Sequence, residues 1–278
     1  MLKITFFDQN PCIQKRSGWP YYHGDCTLIQ CPDGQNVLVD ISTKFSGAYL
    51  TEELLKLGVE RIDHMIFSHL HQDHTAGFVH LADKLPVGEI ILSGYGKGNL
   101  DAELSLFDVA REKQIPIREV RQGQKFDVGN VMFDVLFPAA DAPEAPADGT
   151  QSEQGGWLNL YSLVLRMTYG SFSALLTGDI HLEIEDELIS TYGSGLRSTL
   201  LKIPHHGNDT STGAPFVEAV NPTVAVVMST GCEWLVQRKF SSIGTPLYGT
   251  FCDGNIIAQT DGTMLKIICD KGERMFQL

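Results

Sequence analysis

Ser68-His69-Leu70-His71-Gln72-Asp73-His74-Thr75-Ala76-Gly77 places three histidines and an aspartate within six residues, in the pattern H-x-H-x-D-H. The preceding Ile62-Asp63-His64-Met65-Ile66-Phe67 reads as a short apolar strand, and Ala76-Gly77 leads into a helical pattern. The cluster therefore belongs on a strand-to-helix loop, where side chains can converge on one point. Neutral imidazoles and carboxylates are the ligands of zinc and similar divalent ions. Nine histidines are spread over 278 residues. Three of them in one hexapeptide, with an aspartate between, point to a metal site and not to a merely polar surface loop.

The rest of the composition sets the frame for that site. Hydrophobic residues make up 43% and charged residues 20%, as in an ordinary soluble globular protein able to bury a large core. Met1-Leu2-Lys3-Ile4-Thr5-Phe6-Phe7-Asp8 reads as a first strand and not as a signal peptide. No run approaches the ~18 apolar residues of a membrane span, so no membrane partner and a cytoplasmic location are expected. The six cysteines contain no C-x-x-C pair, and free thiols are expected. A net charge of −13, without a basic stripe, disfavours a long nucleic acid as partner. A small phosphoester is compatible with it, because bound divalent ions offset negative charge locally.

Along the chain, strands are expected at Ile4–Phe7, Thr27–Cys31 and Val37–Asp40, with a Pro32-Asp33-Gly34 turn between the last two. A helix over Thr51–Leu57, closed by Gly58, precedes the strand Ile62–Phe67 and the histidine loop. Helices near Phe78–Leu85 and Asp101–Lys113 flank a strand at Glu89–Leu92, and Ile117–Val120, Lys125–Val128 and Val131–Phe137 read as a meander. Residues 139–156 are rich in Ala, Pro, Asp and Glu and read as an exposed loop. Strands Tyr161–Thr168, Phe172–Thr177, Leu200–Pro204 and Val224–Met228 follow, with helices near Leu182–Thr191 and Thr212–Val220, and the chain ends in β structure. One domain over 1–278 is expected, with β-rich halves at about 1–138 and 157–278 forming two facing sheets with helices outside.

The second half supplies further ligand candidates after strands. Asp179 follows Phe172–Thr177 through Gly178, and His205-His206-Gly207 follows Leu200–Pro204. With the first cluster they fill out a dinuclear site: His69 and His71 for one ion, Asp73, His74 and one of His205 and His206 for the other, and Asp179 for both. His206 is taken as the ligand, and His205 as the group that stabilises developing negative charge. His64, His80 and His181 read as ordinary strand and helix residues, and His23 as part of a turn.

With these residues assembled, the sequence resembles the metallo-β-lactamase fold superfamily, in the branch of the ComEC-type competence proteins and phosphorylcholine esterases. The resemblance is carried by Gly24-Asp25, Leu38-Val39-Asp40, Ser68-His69-x-His71-x-Asp73-His74-x-x-Gly77, Asn159-x-x-Ser162, Leu176-Thr177-Gly178-Asp179 and Leu201-Lys202-Ile203-Pro204-His205-His206-Gly207. It implies a four-layer αββα sandwich with the site at one edge between the sheets. Lactamase- and lactonase-like members supply a mid-chain histidine to the first ion, whereas no histidine occurs here between His80 and His181. Asn159 stands near that position and is expected to face the substrate. Two departures, Asp40-Ile41-Ser42 for the usual Asp-x-Gly and Thr245-Pro246 for a His-Pro, are both expected beside the substrate.

The expected activity is hydrolysis of a phosphodiester or related phosphoester, by a hydroxide held between two divalent ions, zinc or manganese. Asp73, His205 and Asn159 are the expected catalytic residues, and Asp40 is expected to orient a ligand histidine. The alternatives are hydrolysis of a carboxylic ester or amide at the same ions, a ComEC-like nuclease, and a non-catalytic metal-binding protein.

Overall fold

In a computed structural model the described residues are 1–9, 24–95, 101–142, 156–229 and 231–278. His23, Cys12 and most of the expected loop 139–156 lie outside them. The strands β1 (Leu2–Phe6), β2 (Thr27–Gln30) and β3 (Asn36–Val39) open the first sheet as an antiparallel run. The helix α1 (Lys44–Lys56) then crosses to β4 (Ile62–Ile66), which pairs with β3 in parallel. The short helix α2 (Gln72–Thr75) and helix α3 (Phe78–Lys84) lead to β5 (Val87–Leu92), and α4 (Asp101–Glu112) to β6 (Ile117–Glu119), again in parallel.

After β6 the chain changes sheets. β7 (Lys125–Val128), β8 (Val131–Phe137), β9 (Val164–Tyr169) and β10 (Phe172–Leu176) form an antiparallel run in the second sheet, with helical turn α5 (Gly156–Asn159) before β9. Helices α6 (Leu182–Tyr192), α7 (Ala214–Val220) and α8 (Trp234–Ser242) connect the parallel strands β11 (Leu200–Lys202), β12 (Val224–Val227) and β13 (Leu247–Gly249). A turn of helix, α9 (Thr250–Asp253), precedes β14 (Ile256–Thr260), β15 (Met264–Cys269) and β16 (Gly272–Gln277), which return to the first sheet beside β1. The boundary expected near residue 138 is thus not the boundary between sheets. The expected meander is split between them, β6 in the nine-stranded sheet and β7 and β8 in the seven-stranded one.

Alternation along the central strands shows why both faces of each sheet are apolar. Val37 and Val39 join the core between the sheets, while Leu38 between them packs into the core under α1, α3 and α4. In the second sheet Val224 and Val226 face the same inner core, and Ala225 and Val227 face the outer one under α6, α7 and α8. The result is the expected four-layer αββα sandwich.

Helix α1 begins seven residues earlier than the sequence pattern indicated, because Thr43 caps it by accepting the Ser46 N–H at 3.2 Å. Ser46 and Gly47, weak helix formers, obscured that start. Gly47 serves a packing need: a Cβ there would lie 2.4 Å from Gly77 Cα, so the glycines let α1 approach the end of the histidine loop. Trp234–Ser242 and β16 were not legible as elements. Among the described residues no helix is long and apolar enough to cross a membrane.

Candidate metal centre

The carboxyl ends of parallel strands are where side-chain loops of α/β sheets collect, and here two sheets present such ends together. β3 ends in Asp40, β4 in the loop Ser68–His74, β10 in Gly178-Asp179 and β11 in the turn Pro204–Gly207. The edges are tied across the sandwich by Leu163 N–H, which donates to Ser68 O at 2.7 Å, and within the second sheet Asp179 N–H donates to Ser162 Oγ at 3.1 Å.

Asp73, His74, Asp179 and His206 bring one ligand atom each to within 4.8 Å of one another. Asp179 Oδ2 lies 3.2 Å from His74 Nε2 and 3.1 Å from His206 Nε2. His206 Nε2 also lies 3.4 Å from Asp73 Oδ2, yet it is buried without a hydrogen-bond partner, as is Asp179 Oδ1. Nitrogen and oxygen ligands about 2.0–2.2 Å from a tetrahedral ion stand roughly 3.3 Å apart, so these spacings and orphaned atoms fit a divalent cation. His69 and His71 form a separate pair, with His69 Nε2 2.8 Å from His71 Nδ1. The rings of His69 and His74 lie 4.2 Å apart, so the pair abuts the four-residue cluster.

Three of the candidate ligands, His74, His69 and His206, have a partner behind them. The buried Asp40 receives Ser68 N–H at 2.8 Å, Ser68 Oγ–H at 2.7 Å and His74 Nδ1 at 2.9 Å, which leaves His74 Nε2 facing the cluster. Ser68 Oγ lies 3.0 Å from His69 Nδ1 and so directs His69 Nε2 toward His71. His206 Nδ1 is 3.1 Å from Met228 O and 3.3 Å from Asp25 Oδ1, and its Nε2 is thereby turned inward. His205 turns the other way: its Nδ1 meets Thr210 Oγ1 at 2.8 Å and its Nε2 lies 3.5 Å from Asn159 Nδ2. His206, and not His205, is the residue grouped with the other ligands. Both adopt left-handed backbone, φ 48° and 53°, an uncommon conformation for non-glycine residues that is often tolerated where function fixes it.

In the sequence Asp25 and Lys202 stand only as parts of motifs, and their pairing emerges from the fold. Lys202 is 4% exposed; its Nζ pairs with Asp25 Oδ2, donates to Gly178 O at 3.0 Å and lies 3.5 Å from Asp179 Oδ1. The apolar-polar order Leu201-Lys202-Ile203 in a buried strand was the available signal, since an interior lysine needs partners. A cavity of about 20 Å³, room for roughly one water, lies between the sheets against Asp25, Asp40, Ser68 and Lys202.

The electrostatics follow from this crowding. Burial raises Asp25, but Lys202 and His206 outweigh it and bring the carboxyl to about 2. Burial likewise opposes ionisation of Asp179, which His206, His74 and Lys202 hold well below the usual carboxylate range. His74 and His206 are buried, yet the carboxylates around them raise both well above an ordinary histidine. His69, by contrast, is lowered well below it by burial and by its histidine neighbours, and burial brings His205 down to about 4. Both are therefore neutral imidazoles at neutral pH.

Other expectations resolve differently. His181, read as an ordinary helix residue, lies with its Nε2 3.1 Å from Asn159 Nδ2. Thr245-Pro246 is not beside the site: Pro246 O accepts the Ala225 N–H near the start of β12, the opposite end from the ligand loops. Asp40-Ile41-Ser42 does adjoin the site, with Ile41 N–H bonded to His74 O at 2.9 Å and Asp40 and Ser42 at positive φ. His64 pairs with Glu89 at 2.7 Å, and Cys26, Cys31, Cys232, Cys252 and Cys269 are free thiols.

Comparison with known proteins agrees with this architecture. The description "Metallo-beta-lactamase superfamily" matches residues 19–231. ComE operon protein 3 of Bacillus subtilis is 29% identical over 171 residues, 61% of this chain and 20% of that protein. Competence protein ComA of Neisseria gonorrhoeae is 29% identical over 212 residues, 76% of this chain and 26% of that protein. The chain thus spans about a fifth to a quarter of the length of these relatives. Among solved structures, the metallo-beta-lactamase fold protein YhfI of Bacillus subtilis superposes with a TM-score of 0.56 at 13% identity, covering 93% of this chain and 100% of that one. CmlA, a diiron beta-hydroxylase from Streptomyces venezuelae, gives 0.51 at 14% identity over 93% of this chain and 53% of that one. These two likenesses concern the fold. Family match, sheet order and ligand loops lead to one assignment: the chain belongs to the metallo-β-lactamase superfamily.

Proposed function

We propose that this protein is a metal-dependent hydrolase of phosphodiesters or related phosphoesters, with two divalent ions, zinc or manganese, as cofactors. The observation that carries the reading is the convergence of Asp73, His74, Asp179 and His206 from the two sheets, with the His69–His71 pair alongside. His69 and His71 would hold one ion, Asp73, His74 and His206 the other, and Asp179 would serve both. When bound, the ions supply positive charge for the phosphoryl oxygens and acidify water at neutral pH.

The chain's own groups do the remaining work. Asp40, Ser68 and Asp25 orient the ligand imidazoles so that their free nitrogens face inward. Lys202 offsets the charge of Asp25 and Asp179 before an ion arrives. Asp73, partly exposed at the site's rim, is positioned to orient the nucleophile as well as to ligate. Neutral His205 and Asn159 provide hydrogen-bonding groups beside the cluster for the substrate. A phosphoryl substrate is favoured over a carbonyl one because the sequence places no histidine between His80 and His181, and Asn159 stands beside the cluster instead.

The test is metal analysis followed by an activity panel on the same preparation: a bis-aryl phosphodiester, a lactone and a β-lactam. Metal-dependent turnover of the phosphodiester is expected. Turnover of the carbonyl substrates alone would reject the reading. The similarity to competence proteins favours adding a short single-stranded oligonucleotide, itself a phosphodiester, to the panel. With a net charge of −13, any binding of it is expected to be weak and insensitive to salt.

A further inference from the structure

Three polar side chains beside the metal centre are drawn together from three separate segments. Asn159 ends α5, His181 precedes α6, and His205 lies in the turn after β11. The Asn159 amide meets His181 Nε2 at 3.1 Å and His205 Nε2 at 3.5 Å, and the two imidazoles stack with centroids 4.9 Å apart and planes 27° apart. His181 caps nothing: it occupies the position before the helix, yet its side chain makes no capping bond. Thr210 fastens the group from behind, its hydroxyl on His205 Nδ1 and its carbonyl accepting the Leu182 N–H at 3.2 Å.

Asn159 is 3% exposed, and its Oδ1 has no hydrogen-bond partner. Turning the amide over exchanges its two ends but still leaves one buried polar atom unpaired. Turned so that its Oδ1 accepts from the imidazoles, the amide leaves an N–H unpaired, and a ligand oxygen accepting from it would satisfy that donor. The His205 and His206 rings lie with centroids 6.1 Å apart, so the group adjoins the cluster of Asp73, His74, Asp179 and His206. A tetrahedral oxyanion has the required shape, with some oxygens toward the cations and another toward the amide and imidazoles.

We propose that Asn159, His181 and His205 form a subsite for a phosphoryl oxygen, and that His181 is a substrate-contacting specificity residue. The proposal rests on the phosphoester reading above and adds the residue that the sequence had left aside. It requires hydrogen bonding from His181, not merely its ring.

The experiment titrates inorganic phosphate into the metal-loaded protein by calorimetry, for the natural chain, His181→Phe and His181→Gln. Phe keeps a ring that can stack but removes the nitrogens, and Gln restores a hydrogen-bonding amide. Hydrogen bonds to a charged group are worth about 1.5–3 kcal/mol, so His181→Phe is expected to weaken phosphate at least roughly tenfold. Metal content and melting temperature are expected to stay unchanged, with part of the affinity recovered in His181→Gln. Equal phosphate affinity in all three, or no binding by the natural chain, overturns the subsite. Bis-aryl phosphodiester turnover is read in parallel. Turnover with phosphate affinity indifferent to His181 removes the subsite and leaves the hydrolase reading. His181-dependent phosphate binding without turnover does the reverse.

Discussion

Lys202 Nζ stands 3.5 Å from Asp179 Oδ1, while Asp179 Oδ2 faces His74 and His206 at 3.2 and 3.1 Å. One carboxylate therefore joins an internal cation to the ligand cluster, and the same ammonium pairs with Asp25, which holds His206. Removing one partner of a buried pair costs about 3–5 kcal/mol because the other charge is stranded. Lys202→Met is expected to lose that much in urea denaturation of the metal-free protein. The double variant Asp25→Asn/Lys202→Met is expected to be more stable than the sum of the singles predicts, by about 1–3 kcal/mol. Strict additivity would show that the pair does not act as a unit.

Asp40 should control metal affinity without touching the metal. It fixes the His74 ring through Nδ1 and also anchors Ser68, which in turn contacts His69. Loss of such a partner typically costs about 10–100-fold in affinity. Asp40→Asn, measured by competition with a chromophoric chelator, is expected to fall in that range.

The ligand grouping predicts a stoichiometry. His69→Ala disrupts the two-histidine pair, whereas His206→Ala removes one of the four convergent ligands. Each variant is expected to retain one tightly bound ion per chain by elemental analysis where the natural protein retains two. Chelation of the natural protein is expected to lower its melting temperature, since a cation that binds only the folded state stabilises it.

Glu185 predicts a pH dependence outside the ligand cluster. Its carboxylate receives the N–H groups of Thr212 and, at 2.6 Å, Gly213, in the loop that follows the His205-His206 turn. Burial raises its pKa from 4.5 to about 7, against the opposing effects of those N–H groups and Lys239, with Asp186 adding to the rise. Because the folded state holds the proton more tightly, this contribution is complete below pH 4.5 and is lost as the pH rises through 7. A shift of that size corresponds to about 3 kcal/mol. Glu185→Gln is expected to gain stability relative to the natural chain over that interval, as measured by urea denaturation at a series of pH values. A constant difference would contradict the shift.

Local chemistry made much of the centre legible. The hexapeptide His69–His74 contains several ligand types at short range, and Gly178-Asp179 and His205-His206-Gly207 each follow an apolar strand. Lys202 and His181 were harder to read, because a lone lysine in a strand or a histidine before a helix has no local feature that reveals its partners. The split of the expected meander had the same cause: β6 and β7 look alike in sequence, and only their pairing places them in different sheets.

The sequence by itself determined the strand-to-helix loops, the inventory of candidate metal ligands and the kind of fold that holds them, since these depend on periodicity and residue chemistry over short spans. Only the tertiary structure decided that His206 turns inward while His205 turns to Thr210, that Asp25 and Lys202 stand behind the ligands, and that His181 meets Asn159. Those outcomes depend on contacts across 5 to 177 positions of chain, taking His205–Thr210 and Asp25–Lys202 as the limits. Side-chain direction there is set by sheet register and backbone φ, which the packing of distant strands fixes.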